Sequence, residues 1–547
     1  MIDDEKSKNQ KNDFINNKNK SVRFSDFVAP LSIIGIVGLV IRFYYFPYDI
    51  PFTYDALDYF SYAMSMSQTG QFPNNWVLVN NGWPSLVSFF FMNLNSENFI
   101  DYVHTQRILS IIISVLTIIP IYLIAKKFFD KTWSIIATAL FVFNPKIIEN
   151  SLLGVTESLY LFLITIGLFL LLSKNSLHAY ISFIIIALVS ITRYEGLLLL
   201  IPFSIIFFIK FKNEKKIIFK YILALLLFLL IIIPVGALRM ESSGQDGFIS
   251  HYTAGLIYVS DDLVEGTEED EEWIIEGQNN IPIFLKNGIY GFIKALGLLL
   301  IPFSIFLIPA SLIIIFTKKY QKKIDLKVSS IILLTGIMCI PAFYAFGRNI
   351  DDPRFIFVFL PFLCILSIPI LKDIQEKINK KRIFSICFIG VIIIGGTMIM
   401  EYQKTDYENE REVYQIIKYV IENTDGVNAI SPESRYFKTA EIEHKWPNIS
   451  NLEVSDSGHV SREINRIFAE DFKTLNELLI ESKKIGITHL IVDGKDSRPD
   501  FLNSIYQNDE NYPFLERIYD STEHGLEYHV KIYLINYEHF EEIQNYR

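Results

Sequence analysis

Several short stretches hold charged side chains where an otherwise apolar chain could have avoided them. The segment FTYDALDYFSYAMSMSQTG (52–70) sets Asp55 and Asp58 among aromatic rings just after the first long apolar run. On a helix, at about 100° per residue, Asp55, Asp58, Tyr59, Tyr62 and Met66 fall on one stripe and Leu57, Phe60 and Met64 fall opposite. The spacing predicts an amphipathic helix lying along a membrane surface. A carboxylate held there can act as a general base towards a hydroxyl group. The plainer reading is a helix cap made by Asp55 or Thr53, and interfacial placement alone accounts for Tyr59 and Tyr62.

The cations have a similar choice of roles. ITRYEGLLLLIP (191–202) puts Arg193 and Glu195 between two apolar segments, and GRNIDDPRFIFVFLP (347–361) crowds Arg348, Asp351, Asp352 and Arg354 at a turn. Arg107 in HTQRILS and Glu157 in GVTESLYLF stand at the ends of other apolar runs. A guanidinium can grip a phosphate through two parallel hydrogen bonds, which makes Arg354, Arg193 and Arg107 candidate anion contacts. Against that stand snorkelling or a simple Arg193–Glu195 pair, ordinary Asp-Asp-Pro turn chemistry, and a helix-start acid at Glu157 facing the dipole.

What must position these residues is a set of apolar helices. The chain of 547 residues is 51% hydrophobic, with a mean hydropathy of +0.30. Its runs have the length needed to cross a hydrocarbon core about 30 Å thick. The expected architecture is an α-helical polytopic membrane protein of about eleven transmembrane helices, near 27–46, 105–125, 131–149, 156–173, 178–192, 195–211, 217–238, 290–316, 328–346, 354–371 and 383–400. Lysines recur in every second short loop, from the tail (Lys6 to Arg23) through Lys126, Lys127 and Lys131 to Lys380, Lys381 and Arg382. The positive-inside bias then predicts residues 1–26 as a cytoplasmic N-terminal tail and the opposite ends as outer. The first span reads as a retained anchor, because no small-residue cleavage site precedes it. Outer loops are expected at 47–104 and 239–289, within a membrane domain of residues 27–400. Residues 401–547 change to polar helical patterns followed by short β-rich runs (THLIVDG, HVKIYLINY), which predicts a small extracytoplasmic α/β domain. On this topology Asp55, Asp58, Arg107, Glu157, Arg193, Glu195 and Arg354 all fall at outer ends of different spans.

Other features exclude function classes. The three cysteines, Cys339, Cys364 and Cys387, lie within apolar runs and form neither a disulfide framework nor a metal spacing. The acidic run EGTEEDEEWIIEG reads as a solvated loop, and His524, His529 and His539 lack ligand spacing. No Gly-rich phosphate loop is present, which argues against a nucleotide-binding domain, and nothing points to nucleic acid. NIS at Asn448 is an N-glycosylation acceptor pattern.

A first span followed by an outer loop opening DALDY, then Ala63 and a glycine further on, resembles the GT-C superfamily. Its members are polytopic glycosyltransferases, protein O-mannosyltransferase-like or lipid A aminoarabinose transferase-like, that use polyprenyl-phosphate-linked sugars. GWPSLVSFF, QRILSIIISVLTIIPIYLIAKKFFD, FNPKIIENSLLGVTESLYLFL, TRYEGLLLLIP and DPRFIFVFLPFL carry the resemblance over about residues 27–400. Many members have Asp-Glu at the loop start where this chain has Asp55-Ala56, and DYFSYA from Asp58 is similar to the acidic-aromatic start of oligosaccharyltransferase catalytic subunits. Asp55 is favoured as the base and Asp58 stays a second candidate. The resemblance implies an enzyme of the plasma membrane that moves a sugar, such as the hexose mannose, from a polyprenyl-phosphate donor to an acceptor hydroxyl on a protein, glycan or lipid, with inversion. It further implies Arg354, Arg193 and Arg107 on the donor phosphate and Tyr59, Tyr62, Glu157 and Glu195 around the pocket. No resident cofactor or metal site is assigned, and a divalent cation near Asp55 and Asp58 is left open. A transporter or lipid flippase is the main alternative, although charges at the rim and unlike halves do not favour it; a membrane anchor displaying the tail is a third.

Overall fold

The computed structural model describes residues 25–76, 78, 80–250, 281–316, 326–378, 380–423, 436–446, 467, 469, 472–494 and 498–545. The N-terminal lysines, the acidic run near residue 270, the lysines at 318–323 and Asn448 lie outside the described residues. The chain is mostly helical, and hydrophobicity decides its layout. Six described helices are long and apolar enough to cross a membrane: Phe99–Ala125, Ile217–Ser243, Ile281–Leu300, Leu326–Gly347, Pro353–Ile378 and Lys381–Asn423. The pair Pro145–Leu153 and Glu157–Leu171, bent by 119°, makes up to seven. Val28–Tyr44, Lys131–Val142, Ser176–Thr192 and Ser304–Ile315 are apolar but shorter. The chain is thus a multi-pass membrane protein, and among the described residues six or seven spans of full length stand where eleven were expected.

Prolines account for two of the differences. The run expected at 131–149 stops as a helix at Val142, because Pro145 cannot continue it and instead starts the next helix with Asn144 as its cap. The run expected at 290–316 is two helices, Ile281–Leu300 and Ser304–Phe316, broken before Pro302. The first of these begins inside the segment expected as an outer loop.

One large apolar cluster unites most of these helices. At one end of the bundle the basic loops meet. Lys127 Nζ donates to the Leu172 carbonyl, Lys210 Nζ to the Leu171 carbonyl, Lys327 Nζ to the Lys127 carbonyl, and Lys381 pairs with Asp130. These contacts tie together loops that carry the recurring lysines.

The tail forms helices Tyr407–Asn423, Phe437–His444, Leu475–Lys484, Asp500–Gln507 and Tyr537–Asn545, with strands β1 (His489–Asp493), β2 (Leu515–Asp520) and β3 (Val530–Ile535). The strands pair in the order β1-β3-β2, antiparallel throughout. The expected α/β domain is therefore an antiparallel sheet with helices. Leu490, Val492, Tyr533 and Ile535 pack with Leu478, Leu479, Leu502 and Ile505 into its own core.

Candidate active site

The Tyr54–Thr69 helix carries the two aspartates, and it is more enclosed than an interfacial helix. The greasy face holds as expected: Leu57, Phe60 and Met64 are buried against Trp83, Val87, Phe91, Phe99 and Val103. The opposite stripe is covered too, because Tyr59 and Tyr62 are also buried. Tyr62 packs on Trp76 and lies near Arg239, away from the charged cluster. Thr53 stands at the N-cap position without a side-chain cap bond, so the capping alternative for these residues is not realised.

Three segments converge on Asp55. Glu157 begins its helix just after the bend at Gly154. There φ is +75°, a Cβ would lie 3.0 Å from the Phe52 ring, and the carbonyl accepts hydrogen bonds from Trp83 and Gln106. Only glycine suits that combination. Arg193 caps the C-terminal end of Ser176–Thr192 and precedes a 3₁₀ turn at Tyr194–Leu199. Gly82 makes room for this, since a Cβ on it would come within 2.8 Å of the Thr192 backbone nitrogen. Arg354 opens the Pro353–Phe359 turn, its backbone nitrogen held by the Asp352 side chain.

These segments build one ion-pair network. Arg354 Nη2 donates to Asp55 Oδ2 at 2.9 Å and its Nε to Asp352 Oδ2 at 2.6 Å, while Nη1 lies 4.0 Å from Glu157 Oε1. Arg193 donates to the same Glu157 oxygen and forks onto Glu195 at 2.9 and 3.4 Å. Its guanidinium lies 5.7 Å from the Tyr160 ring centroid and 5.6 Å from that of Phe355. Tyr59 shares a hydrogen bond with Asn80, whose side-chain oxygen also accepts from Tyr194 N at 3.2 Å. Burial, aided by the Glu157 charge, pushes the Tyr59 phenol well above its ordinary value, so it stays protonated.

Exposure separates the acids. Glu157 and Glu195 are 2% and 4% exposed at their side chains, whereas Asp55 is 53% exposed and its partner Arg354 26%. An ion pair so open to solvent is worth about 0–1 kcal/mol, so an incoming group can displace it. Glu157 is locked by comparison, although among the described residues its Oε2 accepts no hydrogen bond.

Besides Tyr62, two expected members lie elsewhere. Asp58 pairs with Lys438 from the tail. Arg107 is buried and directs four of its five N–H groups at the carbonyls of Leu152, Pro47, Ile50 and Pro51, with Phe52 4.7 Å away. Such a guanidinium shapes the chain leading into Asp55 and has one N–H left for any anion. Asn80 and Asp352 belong to the cluster without having been singled out. Asn80 lies two residues before the quoted GWPSLVSFF stretch, and Asp352 was read only as turn chemistry. Among the described residues no group of three or more His, Cys, Asp or Glu side chains could hold a metal ion. Asp55 and Asp58 each already pair with a side-chain cation, Arg354 and Lys438.

The fold has solved counterparts. The structure is similar to the oligosaccharyltransferase of Archaeoglobus fulgidus in complex with Zn and sulfate, with a TM-score of 0.53 at 14% identity, over 87% of this chain and 69% of that one. Its apo form matches with a TM-score of 0.52 at 12% identity, over 87% and 70%. ArnT from Cupriavidus metallidurans, bound to undecaprenyl phosphate, matches with a TM-score of 0.51 at 8% identity, over 93% of this chain and 97% of that one. The chain has a GT-C fold. Residues 84–237 also match the family described as dolichyl-phosphate-mannose-protein mannosyltransferase. Among curated proteins no sequence matches the chain.

Proposed function

We propose that this GT-C protein is an integral-membrane glycosyltransferase that moves a sugar, a hexose such as mannose, from a polyprenyl-phosphate donor to an acceptor hydroxyl. The observation that carries the reading is the Asp55–Arg354–Glu157–Arg193 network, which joins a half-exposed carboxylate to two guanidinium groups. The match over residues 84–237 and the undecaprenyl phosphate bound by ArnT support a lipid-linked donor.

In the proposed reaction Asp55 takes the proton of the acceptor hydroxyl. The acceptor oxygen attacks the anomeric carbon, and the bond from that carbon to the phosphate oxygen breaks, the electron pair leaving with the phosphate. A single displacement inverts the sugar. Arg354 meets the leaving phosphate, since among the described residues its Nη1 faces only the distant Glu157 oxygen and its hold on Asp55 is weak; Arg193 adds its field from behind Glu157. Tyr59 donates from the wall of the pocket. Orientation follows the lysine bias, with the N-terminus cytoplasmic, the site at the outer face of the plasma membrane, and a protein, glycan or lipid as acceptor.

The test is transfer of labelled sugar from a panel of polyprenyl-phosphate sugars by the protein in proteoliposomes. Transfer with inversion from at least one donor sustains the proposal. Lipid movement across the bilayer without transfer from any donor would sink it.

A further inference from the structure

The tail grips the segment that carries Asp55. Lys438 Nζ pairs with Asp58 Oδ1 at 2.5 Å, both side chains being largely shielded from solvent. The next residue, Thr439, is fully buried, and its hydroxyl donates to the Phe52 carbonyl at 2.6 Å. Ile442 joins the apolar cluster of Leu57 and Phe60, and the Trp446 ring packs edge-on against Phe99 and Tyr102. The polar contacts therefore fall on residues 52 and 58, on either side of Asp55.

The gripped segment needs such a hold. Its helix starts without a side-chain cap, and Tyr54, next to Asp55, has a left-handed φ of +48°. An aromatic residue in that region costs about 1–3 kcal/mol and persists only where the surroundings enforce it. Uncapped first turns also leave backbone donors unsatisfied. Left to itself, this start would fray and carry Asp55 with it.

We infer that the Phe437–His444 helix is a positioning element for the candidate base: Lys438 and Thr439 fix the turn that presents Asp55, and Asp58 is the anchor for Lys438, not a second base. This rests on the reading of Asp55 as base. Arg354 and Arg193 contact Asp55, Asp352, Glu157 and Glu195, and no described ion pair joins them to Asp58. The tail thus acts on turnover through placement and touches no reacting atom.

The experiment measures transfer and donor binding in proteoliposomes, using polyprenyl-phosphate mannose, for the full-length protein and the variants Lys438→Met, Lys438→Arg, Thr439→Val, Asp58→Asn and Asp58→Asn/Lys438→Met. Misplacing a reacting group by about 1 Å costs on the order of 100-fold. Lys438→Met and Asp58→Asn are each expected to lower kcat about 10- to 100-fold at unchanged donor Kd. The double variant should be no worse than either, since one contact is lost once. Lys438→Arg should keep most of the rate, and Thr439→Val should move it in the same direction as Lys438→Met by less. Abolition of transfer by Asp58→Asn with a near-normal Lys438→Met would overturn the inference, as would additive losses in the double variant. No transfer by the unaltered protein would sink the functional reading instead. The contact is then read from melting temperatures of the same proteins, where additive shifts overturn it and a shared loss sustains it.

Discussion

At the residue scale, burial assigns the work within the charged cluster. Asp55 is held loosely enough to be released, while Glu157 is enclosed between two arginines and cannot exchange partners without leaving a charge unpaired. Breaking a buried pair by removing one partner costs roughly 3–5 kcal/mol. Glu157→Gln is therefore expected to lower stability by about 3 kcal/mol, visible as a fall in melting temperature in detergent, whereas Asp55→Asn should leave the melting temperature within about a degree or two. Equal destabilisation by the two would contradict this division. Residue types and positions made Asp55, Arg193, Glu195, Glu157 and Arg354 legible in the sequence, because charge at the end of an apolar run is costly enough to be noticed. Arg107 was equally noticeable for the same reason. Its four backbone carbonyl partners are irregular-chain groups that no pattern in the sequence reveals.

At the scale of elements, the cluster depends on backbone breaks and less on the helices themselves. The 119° turn between Pro145–Leu153 and Glu157–Leu171 delivers Glu157, and Gly154 makes it with a positive φ under the Phe52 ring. Gly154→Ala is expected to cost about 1–3 kcal/mol and to depress transfer as well, since Phe52 lies in the strand of chain that enters the Asp55 turn. The measurement is a denaturation midpoint alongside a transfer rate; an unchanged midpoint would contradict the account. Long hydrophobic runs such as Phe99–Ala125 and Leu326–Gly347 were readable because length alone identifies them. The breaks at Pro145 and Pro302 were not, since hydropathy averages over a proline that the backbone cannot ignore. In the tail the β1 and β3 sequences, rich in β-branched and aromatic residues, announced themselves. LERIYD, with three charges among the six residues of an edge strand, did not, and without it the antiparallel order could not be seen.

At the scale of the whole molecule, the tail is fastened to the membrane-embedded part by polar and apolar contacts together. Arg411 pairs with Asp49 at 3.2 Å, Tyr45 donates to Glu401 at 3.0 Å, and Trp446 seats among Phe60, Phe99 and Tyr102. Trp446→Ala is expected to cost up to about 3 kcal/mol and to make the tail more susceptible to limited proteolysis, while donor binding by the bundle persists. Loss of donor binding in that variant would mean that the tail itself forms part of the donor site. This docking was hidden in the sequence, because a contact between residues nearly 400 positions apart leaves no local pattern.

The most direct test of the central claim is donor affinity and turnover measured together for Asp55→Asn in proteoliposomes. A positioned general base contributes about 10²–10⁴-fold, so the account predicts a loss of turnover of at least about 100-fold with donor Kd close to that of the unaltered protein. Retained turnover would contradict Asp55 as the base, and lost donor binding would make it a ligand of the donor instead.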